Sequence, residues 1–171
     1  MTGSQGSTIY YLEICDRGAL IPKVCPDTLF HIEECTVKQP ALNRFLYEYI
    51  GRQWDWKDRL SFTDQQWHDC ICTPQLKTWI AFYGGSIAGY YELVKDSPQS
   101  VEIRYLGLAS EFIGKGFGGP LLTHAIQSGF AWQAKRIWVH TCTRDHPNAL
   151  TNYTARGMTL YKTEKSKFVF L

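Results

Sequence analysis

Between residues 113 and 120 the chain reads Ile113-Gly114-Lys115-Gly116-Phe117-Gly118-Gly119-Pro120, four glycines within six positions followed directly by a proline. The stretch before it, 100–108, reads as a strand. The stretch after it, about 117–133, carries Leu121, Leu122, Ala125, Ile126 and Phe130 on one helical stripe. Glycines let the main chain turn tightly and let a ligand approach it closely. The first N–H groups of a helix have no internal partner and point along the positive end of its dipole. Pro120 gives up an N–H that an early helical turn would not have used. A strand, a glycine turn and a helix start therefore make a cradle suited to a diphosphate. Taken alone, the same pattern also describes a flexible turn with close helix packing. It is not a Walker loop, because no Gly-Lys-Ser or Gly-Lys-Thr follows at the required spacing. A dinucleotide fingerprint wants a βαβ unit with an acidic residue about 20 positions on. Here the strands before the turn read as antiparallel hairpins, and the first acid after the next strand is Asp145.

The rest of the chain supplies the frame. Residues 8–14 and 29–35 are rich in β-branched and aromatic types and read as strands, with an irregular connection over 15–28 that contains Gly18, Pro22 and Pro26. Leu42, Phe45, Leu46, Tyr49 and Ile50 repeat at three and four, which predicts a helix over 41–51 that stops at Gly51. Ser61 or Thr63 can cap a second helix running to about Cys72, just before Pro74. Strands follow over 77–83 and 86–95, joined by Gly84-Gly85, a strong hairpin signal. After the glycine turn and its helix come a strand at 136–142, a short helix at 148–156 ended by Gly157, and two terminal strands near 158–163 and 167–171. The order β-β-α-α-β-β-β-α-β-α-β-β predicts one α+β domain over 1–171, built on a mixed, mostly antiparallel sheet flanked by helices.

Composition excludes several classes. The formal net charge of +2 gives no strong basic field. The densest basic group, Lys162, Lys165 and Lys167, is interrupted by Glu164 and reads as a solvated strand connection, so no nucleic-acid partner is expected. Residues 1–7 lack the apolar core of a signal peptide, and no apolar run approaches the ~20 residues that span a bilayer, so a cytoplasmic location without membrane attachment is expected. The six cysteines show neither a CxxC pair nor zinc-like spacing with histidine, so thiols and no metal are expected. Cys142 and His140 share a strand face, which packing explains as well as a nucleophile pair does.

Three stretches, in order, resemble the GNAT superfamily of acyl-CoA-dependent N-acetyltransferases. Leu106-Gly107-Leu108 resembles the strand end whose main chain binds the pantetheine arm. Ile113 to Gly118 resembles the (Gln/Arg)-x-x-Gly-x-Gly diphosphate loop. Asn148-Ala149-Leu150-Thr151-Asn152-Tyr153, continuing to Arg156-Gly157-Met158, resembles the Asn-Ala-…-Tyr-…-Gly-Phe signature. The resemblance covers about residues 77–163; residues 1–40 match nothing in it and form an extension of uncertain role. It implies a GNAT-like fold, acetyl-CoA as co-substrate, and a small-molecule or peptide amine as acceptor; a homodimer is a family-level option. It also implies cofactor contacts from Leu106, Gly107, Leu108, Ile113, Gly114, Lys115, Gly116, Phe117, Gly118, Gly119 and Asn148. One departure is plain: Ile113 stands where the family has Gln or Arg, so a side-chain contact to the diphosphate is missing while the backbone donors remain.

Acetyl transfer to an amine requires deprotonation of an ammonium whose pKa is near ~10. It also requires stabilisation of the thioester oxygen and a proton for the departing thiolate. By the resemblance, Tyr153 occupies the general-acid position and Glu102, eleven residues before Ile113, that of a general base. Glu102 could equally pair with Arg104 on the same strand face. His140 and Glu92 are lesser base candidates. Asn148 serves as a helix cap or a cofactor contact. The acceptor pocket is expected from the helical region before residue 77, with Tyr47, Trp54, Trp56 and Arg59 as lining. Two other readings remain: a catalytically inactive acyl-CoA-binding or sensor protein, and a nucleotide-binding protein of different fold.

Overall fold

The computed structural model describes residues 7–54 and 56–166. Seven strands form one sheet: β1 (Ser7–Ile14), β2 (Phe30–Glu34), β3 (Leu76–Tyr83), β4 (Ser86–Ser97), β5 (Ser100–Leu108), β6 (Arg136–Cys142) and β7 (Thr159–Ser166). The order across the sheet is β2-β3-β4-β5-β6-β1-β7. Every neighbouring pair is antiparallel except β5 and β6, which run parallel. Four helices accompany it: α1 (Pro40–Gly51), α2 (Asp64–Ile71), α3 (Gly118–Ala131) and α4 (Ala149–Ala155).

The helices divide between the two faces because their apolar stripes do. Leu121, Leu122, Ala125 and Ile126 of α3 pack with Leu12, Tyr91, Leu93, Ile103 and Val139 of the sheet, and Tyr153 of α4 joins them. Leu46, Tyr47 and Ile50 of α1, with Trp67 and Ile71 of α2, pack with Leu76, Ile80, Tyr90 and Tyr105 on the opposite face. Thr63 caps α2 as expected: its hydroxyl accepts from the Gln66 N–H, and the Gln66 side chain accepts from the Thr63 N–H. Gly84 and Gly85 take φ of 55° and 84°, the left-handed pair that a two-residue hairpin requires.

Two differences from the sequence expectation stand out. β7 continues through Lys162 and Lys165 to Ser166, its main chain pairing with β1 from Glu13↔Thr159 to Ser7↔Ser166 with one bulge at Tyr161; the lysines lie on a strand and do not form a connection. The strand expected over 167–171 lies outside the described residues. Residues 15–28 are irregular as expected, apart from a single 3-10 turn over Arg17–Ala19.

The arrangement of β5 sets up the site. Its pairing with β6 consists of Ser100↔Arg136, Val101↔Ile137 and Glu102↔Trp138, after which the two strands part. On its other side β5 stays paired with β4 to the end, through Gly89↔Leu108. A bulge places Arg104 as an extra residue between Ile103 and Tyr105. A bulge inverts the in/out alternation beyond it, so Tyr105 and Gly107 face α1 and Leu106 and Leu108 face α3.

Candidate active site

Where β5 and β6 part, a cavity of about 630 Å³ opens. Ile103 to Leu108 form one wall and Val139 and His140 the other; Gly114, Gly116 and Gly118 stand at one end, and Asn148 to Arg156 close it from α4. The ladder shows which main-chain groups face inward. The Ala109 N–H donates to the Ala88 carbonyl at 2.9 Å, so in this register Gly107 and Tyr105 also bond to β4. Alternation then turns the N–H and C=O of Leu106 and Leu108 away from β4, toward the gap. Such groups suit a ligand that itself carries amides.

The glycine turn does what its composition requires. Gly114 and Gly116 hold φ of 77° and 90°, and a Cβ at either would meet nothing within 4 Å. They are glycine for backbone shape, not for space. The start of α3 directs unpaired N–H groups toward the same end of the cavity. Asn152 ties α4 to this point, its side-chain amide donating to the Gly118 carbonyl at 3.1 Å.

Tyr153 lines the cavity, and its hydroxyl makes no hydrogen bond among the described residues. Burial pushes its phenol above the ordinary 10.0, and the nearby Asp145 carboxylate adds to the effect. Asp145 is itself half-buried in the cavity wall. Its carboxyl is raised by that burial, against the opposing hydrogen bonds from the Thr141 hydroxyl and the Cys142 N–H.

Glu102 stands one step behind the wall. Its side chain is only 4% exposed, and it accepts from Arg104 Nε at 2.8 Å. Its second oxygen is 3.4 Å from His140 Nδ1. Burial alone would raise this carboxyl; the hydrogen bonds from His140 and Arg104 outweigh it and hold the group below the usual carboxylate range. His140, 27% exposed, is the member of the pair that reaches the cavity. Glu92 is fully buried and bound by Arg59 at 2.8 Å and Asn43 at 2.9 Å, so it has no route to a ligand. Cys142 is buried with its thiol pushed up by that burial, which leaves it a poor nucleophile beside His140.

The structure thus brings Leu106, Gly107, Leu108, Ile113, Gly114, Gly116, Gly118, Asn148 and Tyr153 to one cavity, together with Trp54 and Trp56. Asn148 occupies the cap position of α4, but its side chain makes no cap hydrogen bond. Three of the expected cofactor residues do not line the cavity. Lys115 rests its ammonium 5.7 Å from the Phe112 ring, Phe117 is buried and stacks on Phe30 at 4.9 Å, and Gly119 is covered by Lys23 and Arg156. Tyr47 and Arg59 are not brought to it either. Tyr47 is wholly buried and donates to Asp58, while Arg59 pairs with Glu92 inside the second core. Lys23, Arg104, Asp145, His146 and Arg156 line the cavity and were not among the expected site residues. Arg104 was legible as a neighbour of Glu102, but no local signal marks Lys23, which reaches the site from the segment between β1 and β2.

Among curated proteins, none matches the chain closely enough to count as a relative. Solved structures do match in fold. A GCN5-related N-acetyltransferase from Sphaerobacter thermophilus superposes with a TM-score of 0.67 at 16% identity over 94% of this chain and 50% of its own. One from Kribbella flavida gives 0.66 at 16% identity over 92% and 58%. An aminoglycoside acetyltransferase from an uncultured soil metagenomic sample, solved with sisomicin, gives 0.54 at 16% identity over 76% and 87%. This chain therefore spans 50% to 58% of the length of the first two. At such identities the likeness is one of fold. In sequence, the profile of the Acetyltransferase (GNAT) family matches residues 42–158, more than half of the chain, and the protein belongs to that family.

Proposed function

We propose that this chain transfers an acetyl group from acetyl-CoA to a primary amine, by direct attack of the amine on the thioester in a ternary complex. The observation that carries this reading is the parting of β5 and β6 beside the start of α3. An arm bearing amides fits against Leu106 and Leu108, whose main-chain groups face the gap, and a diphosphate fits the turn from Gly114 to Gly118. Ile113, Lys115, Phe117 and Gly119 add main-chain shape there. Asn148, with no cap bond to make, is free to contact the same ligand.

In this reading the acceptor enters past Trp54 and Trp56, and His140 takes its proton. Glu102, held ionised by Arg104, fixes the imidazole through Nδ1 and leaves Nε2 for the amine. The amine nitrogen then bonds to the thioester carbon while an N–H of the Leu106–Leu108 strand stabilises the carbonyl oxygen. The carbon–sulfur bond breaks, and Tyr153, kept protonated by its burial, gives its proton to the sulfur. The second proton of the attacking nitrogen passes through solvent to the Tyr153 phenolate, the amide and the free thiol leave, and His140 releases the proton it took to solvent.

The test is acetyl transfer over a broad panel of amines, read as release of free thiol, with Tyr153→Phe alongside. The variant should lose about 10²-fold or more in kcat while acetyl-CoA still raises its unfolding midpoint. Tight acetyl-CoA binding by the native protein with no turnover on any amine would replace this reading with that of an acyl-CoA sensor.

A further inference from the structure

Residues 15–29, between β1 and β2, precede the span matched by the family and hold no regular element beyond one 3-10 turn. They are nevertheless tied down. The Ile21 N–H donates to the Arg156 carbonyl at 3.1 Å, and the Lys23 N–H donates to the Thr123 hydroxyl on α3 at 2.9 Å. These two bonds lay the segment across the start of α3 and the end of α4, and so bring Lys23 to the cavity wall beside Arg156. The fit is close. A Cβ built on Gly119 would lie 2.5 Å from Cδ of Lys23 and 2.7 Å from Nη1 of Arg156, so both side chains lie directly over the second residue of α3 and a side chain there would push them aside.

The electrostatics of this corner are one-sided. Among the described residues neither Lys23 nor Arg156 has an ion-pair partner, and Nε of Arg156 is buried without a hydrogen-bond acceptor. Two cations packed against the positive end of a helix repel each other and the helix. A buried donor left unpaired adds to the cost. An anion between them removes both penalties. In the same loop, Ile113 has no polar group to offer.

We propose that Lys23 and Arg156 form a two-cation clamp on the diphosphate of the CoA thioester, supplying from elsewhere in the chain the charge that Ile113 does not. The segment 15–29 is then a working wall of the cofactor site. This inference rests on the acetyl-CoA reading above.

Two measurements test it. In the first, inorganic pyrophosphate is titrated into the native protein, Lys23→Ala and Arg156→Gln, and unfolding midpoints are recorded. The native protein should be stabilised and each variant should lose most of the shift; equal shifts in all three would overturn the clamp. In the second, KM is measured with acetyl-CoA, acetyl-dephospho-CoA and S-acetylpantetheine. Each variant should raise KM about tenfold for the first two and leave it unchanged for the third, with kcat and the acceptor KM intact. A loss confined to acetyl-CoA would assign the cations to the 3′-phosphate and overturn the diphosphate assignment. Stabilisation by pyrophosphate without any by acetyl-CoA would keep the clamp and remove the acetyl-CoA reading. Lys23 is exposed, so its variant tests the clamp even if Arg156→Gln fails to fold.

Discussion

His140 and Glu102 differ in what each can do because they differ in what surrounds them. Glu102 is bound by Arg104 and His140 and held below the usual carboxylate range, so it is a weak proton acceptor at neutral pH; in the proposed reaction it orients the imidazole. His140→Gln should therefore lower kcat/KM at neutral pH by about 10²-fold, whereas Glu102→Gln, which leaves the imidazole in place, should cost less. On the alkaline side, the phenol of Tyr153 lies above 10.0, so activity should persist to at least pH 9; a decline centred well below that would count against the general-acid role. A third pair is structural. Arg59 and Glu92 are 3% and 0% exposed and 2.8 Å apart, and removing one partner strands the other's charge. Glu92→Leu should lower the free energy of unfolding by about 3–5 kcal/mol, measurable by urea titration. The types of these residues were visible in the sequence, but their roles were not: Arg59 and Trp56 are three apart in the same aromatic stretch, yet one is sealed in the core and the other meets the cavity.

At the level of elements, periodicity carried most of the information. β5 spans 100–108 and β6 136–142 as the sequence predicts, and α3 falls within two residues of its expected ends. The bulge at Arg104 was not legible, because no residue there signals an extra position. Its effect is large: it turns Gly107 toward α1, where a Cβ would sit 2.7 Å from Cγ2 of Ile50. Gly107→Ala should cost about 1–3 kcal/mol by overpacking and disturb the cavity wall. A second element-scale prediction concerns α3. His124 is half-buried, its Nδ1 lies 2.7 Å from the Tyr91 hydroxyl, and burial lowers its pKa below the ordinary 6.5. Below pH 6.5 the unfolded chain gains this proton before the folded one, so its contribution to stability is full above 6.5 and is lost as the pH falls through the folded value. The fall in unfolding midpoint between pH 7 and pH 5 should be shallower in His124→Gln.

For the molecule as a whole, the sequence located the glycine turn, the strand end before it and the Tyr153 helix, and these three do meet at one cavity. What brings them together is the parting of β5 from β6, a relation between strands whose paired residues, such as Ser100 and Arg136, are far apart in the chain and which no local pattern encodes. For the same reason the segment 15–29 had no visible role. A ligand present at 100 times its dissociation constant would add about 2.7 kcal/mol to the stability of the whole fold, so thermal unfolding should report acetyl-CoA even where no acceptor is known. The parting of the strands has a consequence for solvent exchange. From Ile103 to Leu108, β5 has a neighbour on one edge only, so the amide hydrogens of Leu106 and Leu108 should swap with deuterium much faster than those of Tyr105 and Gly107. A pantetheine arm lying along that edge would behave as an eighth, borrowed strand and slow just that alternate pair.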